Sequence, residues 1–377
     1  MEKRGSNALH GIMLILLVVC TWWGISYTGS TDNSLSSSLV VLMIAVLAGL
    51  YLNIILHEVG HLIGGLLSGY EFVLFFVSNL TFIKQNGKLK VKKYRTPGTG
   101  GGCMLSPLDM KDGKYPFKLY ASGGFLMNFM TAAVCFVLFF YFAHTAGLWA
   151  RAFLVVGLFG VFFGVSSLVP SNITLPNDGY ILFNMGKEEN SEMRHSYYSC
   201  LQMQKLDVEG VRPSDIPTEL FDWVDEGNIK DALTVGTAGN RYKYLIDRGE
   251  IDEARALMRT LCDNPRNLPE MYRMSGNCDL LFHELIGECR QEEIDRIHTK
   301  ELKRFMKMAR SEMSVQRTMY AYAHLVQRDQ IKAKEHLDLF NKLCISPVWS
   351  GTTICEREMM RLIDSVADGR ECDVCSQ

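Results

Sequence analysis

The sequence predicts an all-α polytopic membrane protein, with about four transmembrane helices and a small cytoplasmic β-hairpin, followed by a soluble α-helical C-terminal domain of tetratricopeptide-like character. Three observations predict it. Long apolar runs crowd the first half of the 377-residue chain, whereas from about Gly186 onward it is charged and amphipathic. The one large loop between those runs, Tyr70 to Lys118, is rich in lysine. The second half carries three similarly shaped helical hairpins. The expected domains are 1–28, an N-terminal transmembrane helix; 39–188, a membrane-embedded core; and 189–377, a cytoplasmic helical domain.

Met1 to about Tyr27 carries Lys3 and Arg4, an apolar stretch from Ile12 to Cys20, and Trp22-Trp23 near its far end. No small-residue cleavage site follows the aromatic pair, so an uncleaved first helix with an aromatic interface anchor is expected rather than a signal peptide. Thr28 to Ser38 reads as a short polar loop containing Asp32. Leu39 to about Ser68 is the second apolar segment. At 1.5 Å per residue it spans about 45 Å against a hydrocarbon core of about 30 Å, so it tilts or its last turns emerge. Gly60, Gly64, Gly65 and Gly69 keep one side of it small enough for close helix approach.

In the loop that follows, Lys84, Lys88, Lys90, Lys92, Lys93, Arg95, Lys111, Lys114 and Lys118 outweigh three acids. The positive-inside rule places this loop in the cytoplasm, and Lys3 and Arg4 place the N-terminus on the same side. Alternation in Thr81–Lys84 and Lys88–Lys92 around Gln85-Asn86-Gly87 predicts a hairpin with a type I′ turn. The glycine-rich Thr96–Gly102 is expected to be loop, neither strand nor helix interior. It lacks a GKS or GKT ending and so is not a phosphate loop. Leu119–His144 and Leu148–Val169 read as the third and fourth spans, with Arg151 near the start of the fourth. Pro170 to Gly179 interrupts the helical pattern, and irregular backbone at membrane depth needs a cavity or protein around it.

The remainder reads as helices. Tyr244–Ala254, His283–Glu293 and His324–Ala333 repeat a helix, polar turn and helix at intervals of about 40 residues. His283, His298, His324 and His336 are expected to be packing or surface residues. A net charge of −2 argues against nucleic-acid binding, and eleven scattered cysteines fit reduced thiols better than a disulfide framework. Cys372 and Cys375 form a lone CxxC and read as an inert tail.

The chemistry concentrates in Leu56-His57-Glu58-Val59-Gly60-His61. Histidines four apart share a helix face, where both can bind one metal ion, and the intervening glutamate is placed to accept a proton from an activated water. Three ionisable side chains inside a membrane-length segment are expensive and mark function. A catalytic zinc needs a third protein ligand. Among later acids at membrane depth only Asp178 stands out, and a span that crosses back brings it to the side of His57. Its simplest structural reading is an N-cap, which is compatible with metal binding. Two neutral imidazoles and one carboxylate leave a Zn²⁺ site net positive.

These motifs resemble the site-2 protease family of intramembrane zinc metalloproteases. His57–His61 matches its HExxH. Gly124-Phe-Leu-Met-Asn128 resembles its Gly-Pro-x-x-Asn element with Phe125 for proline, and Asn177-Asp178-Gly179 resembles its Leu-Asp-Gly segment. The resemblance covers about residues 39–188. Ser167 and Asn177 depart from the pattern. It implies a zinc-dependent endopeptidase of a bacterial plasma membrane, with Glu58 as general base, His57, His61 and Asp178 on Zn²⁺, and Asn128 and Asn172 as oxyanion or substrate-binding residues. The implied partners are the lipid bilayer and a membrane-protein substrate with a transmembrane helix; the resemblance does not extend to 189–377, for which a cytoplasmic protein partner is expected from its helical character. The competing reading is a catalytically silent membrane-anchored adaptor that binds a protein through its helical C-terminal domain.

Overall fold

The computed structural model describes residues 2–28, 35–94, 100–172, 175–222, 224, 229, 231–263 and 269–375, with side chains of 2–10, 35–39 and 370–375 outside that description. Asp32, Arg95, Thr96–Thr99 and the side chains of Lys3, Arg4, Cys372 and Cys375 therefore lie outside the described residues. The chain forms two compact units: Met1–Phe82 with Lys93–Arg194, and Ile83–Lys92 with His195–Gln377.

In the first unit, α1 (Glu2–Tyr27), α2 (Leu35–Leu67), α3 (Lys118–Phe142) and α4 (Gly147–Leu168) pack together, and a short α5 (Asp178–Asn184) follows. Among the described residues, three helices are long and apolar enough to cross a membrane: Val40–Leu67, Lys118–Phe142 and Gly147–Leu168. The apolar part of α1, Gly11–Tyr27, is shorter. Large apolar side chains such as Met43, Leu47, Met130, Val134 and Val137 point away from the protein, as lipid-facing surfaces do. The second helix begins at Leu35 rather than Leu39, and its 33 residues make it the longest described helix. Trp23 and Tyr27 at the end of α1 pack on Phe139 of α3. Arg151 donates from Nε to Thr28 Oγ1 at 2.8 Å, which gives its guanidinium a polar partner.

The expected hairpin is present but belongs to a four-stranded sheet, β1 (Glu71–Val77), β2 (Leu80–Gln85), β3 (Lys88–Lys93) and β4 (Gly101–Ser106), in the order β3-β2-β1-β4. Asn86 and Gly87 both have positive φ, 53° and 73°, as a type I′ turn requires. Gly101 and Gly102 begin β4, which corrects the expectation that this run is all loop. The Phe76 ring occupies the place of a Cβ at Gly102, and Glu58 and Ile54 crowd Gly101 more mildly, so the strand has little room for side chains there.

The second unit is helical. After α6 (Ser191–Glu209) come α7 (Ala232–Asp247) and α8 (Ile251–Asp263), then α9 (Glu270–Ile286), α10 (Gln291–Ile297) and α11 (Lys300–Met308). The α12 helix (Met313–Ala321) runs into a π-helical turn, Tyr322–Gln327, before α13 (Gln330–Leu343) and α14 (Ser350–Cys375). The three expected hairpins turn at Gly249, Cys289 and Arg328, each with positive φ and spaced 40 and 39 residues apart. Gln85, in the hairpin segment of this unit, donates to Val208 O and Ser350 Oγ at 3.0 and 2.8 Å. Lys92 donates to Pro347 O.

A largely buried ion cluster sits in the core of this unit. Arg317 on α12 reaches Glu356 on α14 at 2.9 Å and Asp279 on α9 at 2.5 Å, with its guanidinium over the Phe282 ring. Burial pushes both carboxyls above their ordinary range, against the lowering effect of the Arg317 charge. Burial and the Arg317 charge pull His283 down to about 3, so it is a neutral imidazole beside Tyr242 Oη at 2.9 Å. That matches the packing role expected of it.

Candidate metal centre

His57 and His61 lie one turn apart on α2, where the four-residue spacing sets their rings 4.8 Å apart between centroids. What faces them is one stripe of α3. Tyr120, Gly124 and Asn128 recur at intervals of four, so they share a face of that helix. The Tyr120 carbonyl lies 2.7 Å from His61 Nδ1, and the Asn128 amide lies 3.0 Å from His57 Nδ1. Gly124 sits between these contacts, and a Cβ there would overlap both imidazoles. Gly60 and Gly123 meet backbone to backbone, each occupying the space where the other's Cβ would stand.

The contacts at Nδ1 settle which nitrogens face inward. A carbonyl accepts only from N–H, so His61 carries its proton on Nδ1 and presents a lone pair at Nε2. Asn128 is fully buried, and its Oδ1 has no partner among the described residues. With that amide turned by half, Oδ1 accepts from a protonated His57 Nδ1, which leaves the lone pair of His57 Nε2 free for a metal ion.

Asp178 closes the figure. The expectation that it caps α5 is corrected: the cap is Asn177, whose side chain accepts from Tyr180 N at 3.0 Å. The same Oδ1 accepts from Ser171 N at 2.9 Å, and its Nδ2 donates to Val169 O and Ser166 O. Asn177 thus ties the proline-rich turn to the end of α4 and leaves the Asp178 carboxylate free of capping. Asp178 Oδ2 lies 3.2 Å from His57 Nε2 and 3.3 Å from His61 Nε2, while the two Nε2 atoms are 3.1 Å apart. Ser167 on α4 donates to the same carboxylate oxygen.

The three atoms form a nearly equilateral triangle and could hold a metal ion. Donors about 2.0–2.1 Å from a tetrahedral ion stand roughly 3.3 Å apart, so these edges fit one without rearrangement. No other group of three or more such ligands gathers among the described residues. The side chains of His57 and Asp178 keep 19% and 20% exposure against 10% for His61, so the triangle is open on one side. Glu58 is half-buried on the same helix. The Gly101–Cys103 end of β4 runs past it, with the Cys103 backbone within hydrogen-bond reach of the carboxylate. Asn172 is half-buried in the turn between α4 and α5.

Three contributors, Ser167, Asn53 and the Tyr120 carbonyl, were not read from the sequence as site residues. Ser167 reaches Asp178 across eleven residues, and Asn53, wholly buried in α2, donates to Val156 O of α4 at 3.1 Å. An asparagine inside an apolar span is a readable signal for Asn53. The Tyr120 contribution is a backbone carbonyl and leaves no signal in side-chain identity. No protein-family model, curated protein or solved structure matches the chain.

Proposed function

We propose that the protein is a zinc-dependent intramembrane endopeptidase that cuts peptide bonds in or near transmembrane segments of membrane proteins. The observation that carries this reading is the triangle of His57, His61 and Asp178 beside Glu58, set among helices of membrane length. Two imidazoles and a carboxylate with an open side are a donor set suited to catalytic zinc, and they would hold the ion through Nε2, Nε2 and Oδ2. When bound, the ion supplies Lewis-acid polarisation and acidifies water.

The chain's own residues do the rest. Glu58 takes the proton of the attacking water and returns it to the departing amine. Asn128 and the Tyr120 carbonyl orient the two imidazoles, and Ser167 holds the Asp178 carboxylate. The free edge of β4 borders Glu58 and accepts an unwound substrate segment as an added strand, more directly than the hairpin at Asn86-Gly87. Such unwinding is required because the carbonyls of a membrane helix are already hydrogen-bonded. Asn172 offers its amide to the substrate backbone. In this reading α1 is a fourth span, both termini face the cytoplasm of a bacterial cell, and the helical half recruits substrate or a protein partner.

The decisive experiment pairs Glu58→Gln with a single-span reporter co-expressed in membranes. The variant is expected to retain zinc and to lose cleavage by about 10²–10⁴-fold. Full cleavage by Glu58→Gln rejects the endopeptidase. Retention of the cellular phenotype by that variant, with loss on deleting 189–377, supports the adaptor instead.

A further inference from the structure

Apart from the metal triangle, we propose that the helical half binds a phosphate-bearing anion in the basic cavity between α11, the π-helical turn and α13. The cavity is about 490 Å³, and Lys303, Lys307, Arg310, Lys332, His298 and His336 line it. No carboxylate is among its lining residues.

Three independent features point to a ligand. The first is uncompensated charge. Lys303 and Lys307 stand four apart on α11, whose Leu302 and Met306 are turned into the core. Like charges at that spacing repel. Lys303, Lys307 and Arg310 make no ion pair with any described residue, and only Lys332 is held, by Asp329 at 3.0 Å. Asp295 and Glu335 lie within electrostatic reach of His298 and His336, so the excess of positive charge rests on Lys303, Lys307 and Arg310.

The second feature is a rigid polar floor. Buried Gln316 sets its Oε1 2.9 Å from His336 Nδ1 and donates from Nε2 to Arg310 O at 2.6 Å, which fixes the base of the Arg310 side chain. The third is the wall. Tyr322 opens the π-helical turn and packs its ring 4.6 Å from His298. Turns of this wide kind concentrate at functional sites. A phosphoryl group presents several anionic oxygens that ammonium and guanidinium groups can meet, and the guanidinium can meet two at once. Met319 and Leu339 supply apolar surface for the remainder of the ligand. A soluble phosphate ester and an anionic lipid headgroup share this chemistry.

The test uses the full-length protein in neutral phosphatidylcholine nanodiscs, titrated calorimetrically with inorganic pyrophosphate, and then in discs that also contain phosphatidylglycerol. Saturable binding is expected in neutral discs. Lys303→Gln combined with Lys307→Gln should weaken it by about tenfold or more, Arg310→Gln alone in the same direction, and Lys300→Gln not at all. A lower apparent affinity in the phosphatidylglycerol discs assigns the site to a headgroup, and equal affinity assigns it to a soluble ester. No saturable pyrophosphate binding in either disc overturns the proposal, as does equal binding by the cavity variants and the Lys300 control. The readout is binding alone, so this result is independent of whether the metal centre cleaves peptides.

Discussion

Two polar clusters, one in each unit, are each built around carboxylates and arrive at opposite ends. Around Arg317, a guanidinium bridges the carboxylates of Asp279 and Glu356, so the cluster carries its own cation, although Arg317 Nε and Glu356 Oε2 find no hydrogen-bond partner among the described residues. At Asp178, two imidazoles and a carboxylate turn their lone pairs toward one point, and among the described residues no Lys or Arg pairs with them. The first arrangement is what a protein does with buried charge that serves structure. The second could take a metal ion from outside. What separates them is the presence or absence of a resident cation, not burial or acidity.

Replacing residues in each cluster should therefore have effects of different kinds. Asp178→Ala removes the only anionic donor and should abolish both metal retention and any cleavage, read by metal analysis of the purified protein. Retention of a full equivalent of metal would break the comparison at its strongest point. Arg317→Met leaves two buried carboxylates without their cation and should cost about 3–5 kcal/mol, seen as a lower denaturation midpoint and faster hydrogen exchange in α9, α12 and α14, with metal content unchanged. Asn128→Leu and Ser167→Ala keep every donor but loosen its support. Each should weaken metal affinity by about 10- to 100-fold in a chelator competition.

Glu356→Gln should give the smallest change, within about 1 kcal/mol, and its sign depends on pH. The folded-state pKa of Glu356 is raised by burial. Between the unfolded and folded values the native protein holds more proton, so wild-type stability falls as pH rises through that interval. The glutamine variant lacks this loss. It should match or exceed the wild type at neutral pH, and its advantage should vanish below the ordinary glutamate pKa. Paired thermal melts at the two pH values measure it.

How much of this was legible in the sequence follows from the range of each interaction. The His57–His61 pair was readable because helix periodicity is local. Asp178 was readable because an acid at membrane depth is costly enough to stand out. The assignment of the cap to Asn177 was not, since two adjacent residues with capping side chains differ only in backbone angles that the turn imposes. Nor was the start of β4 at Gly101-Gly102, where the Phe76 ring and Glu58 on other elements decide what glycine does. The helical repeat was visible in outline and blurred at its turns. Gly249 announces a left-handed position, but Cys289 and Arg328 adopt the same conformation without glycine. Ser167 and Tyr120 were the least accessible, because their roles exist only once α3, α4 and α5 have come together.

The contact of Gly60 with Gly123 bears on how this chain can change over generations. Where helices meet through side chains, a rotamer can shift to absorb a substitution, and the distance between them drifts a little at a time. Here main chain rests on main chain, so there is no rotamer to shift. The separation of α2 from α3, and with it the reach of Asn128 and Tyr120 to the two histidines, is quantised: it is kept whole or lost in one step.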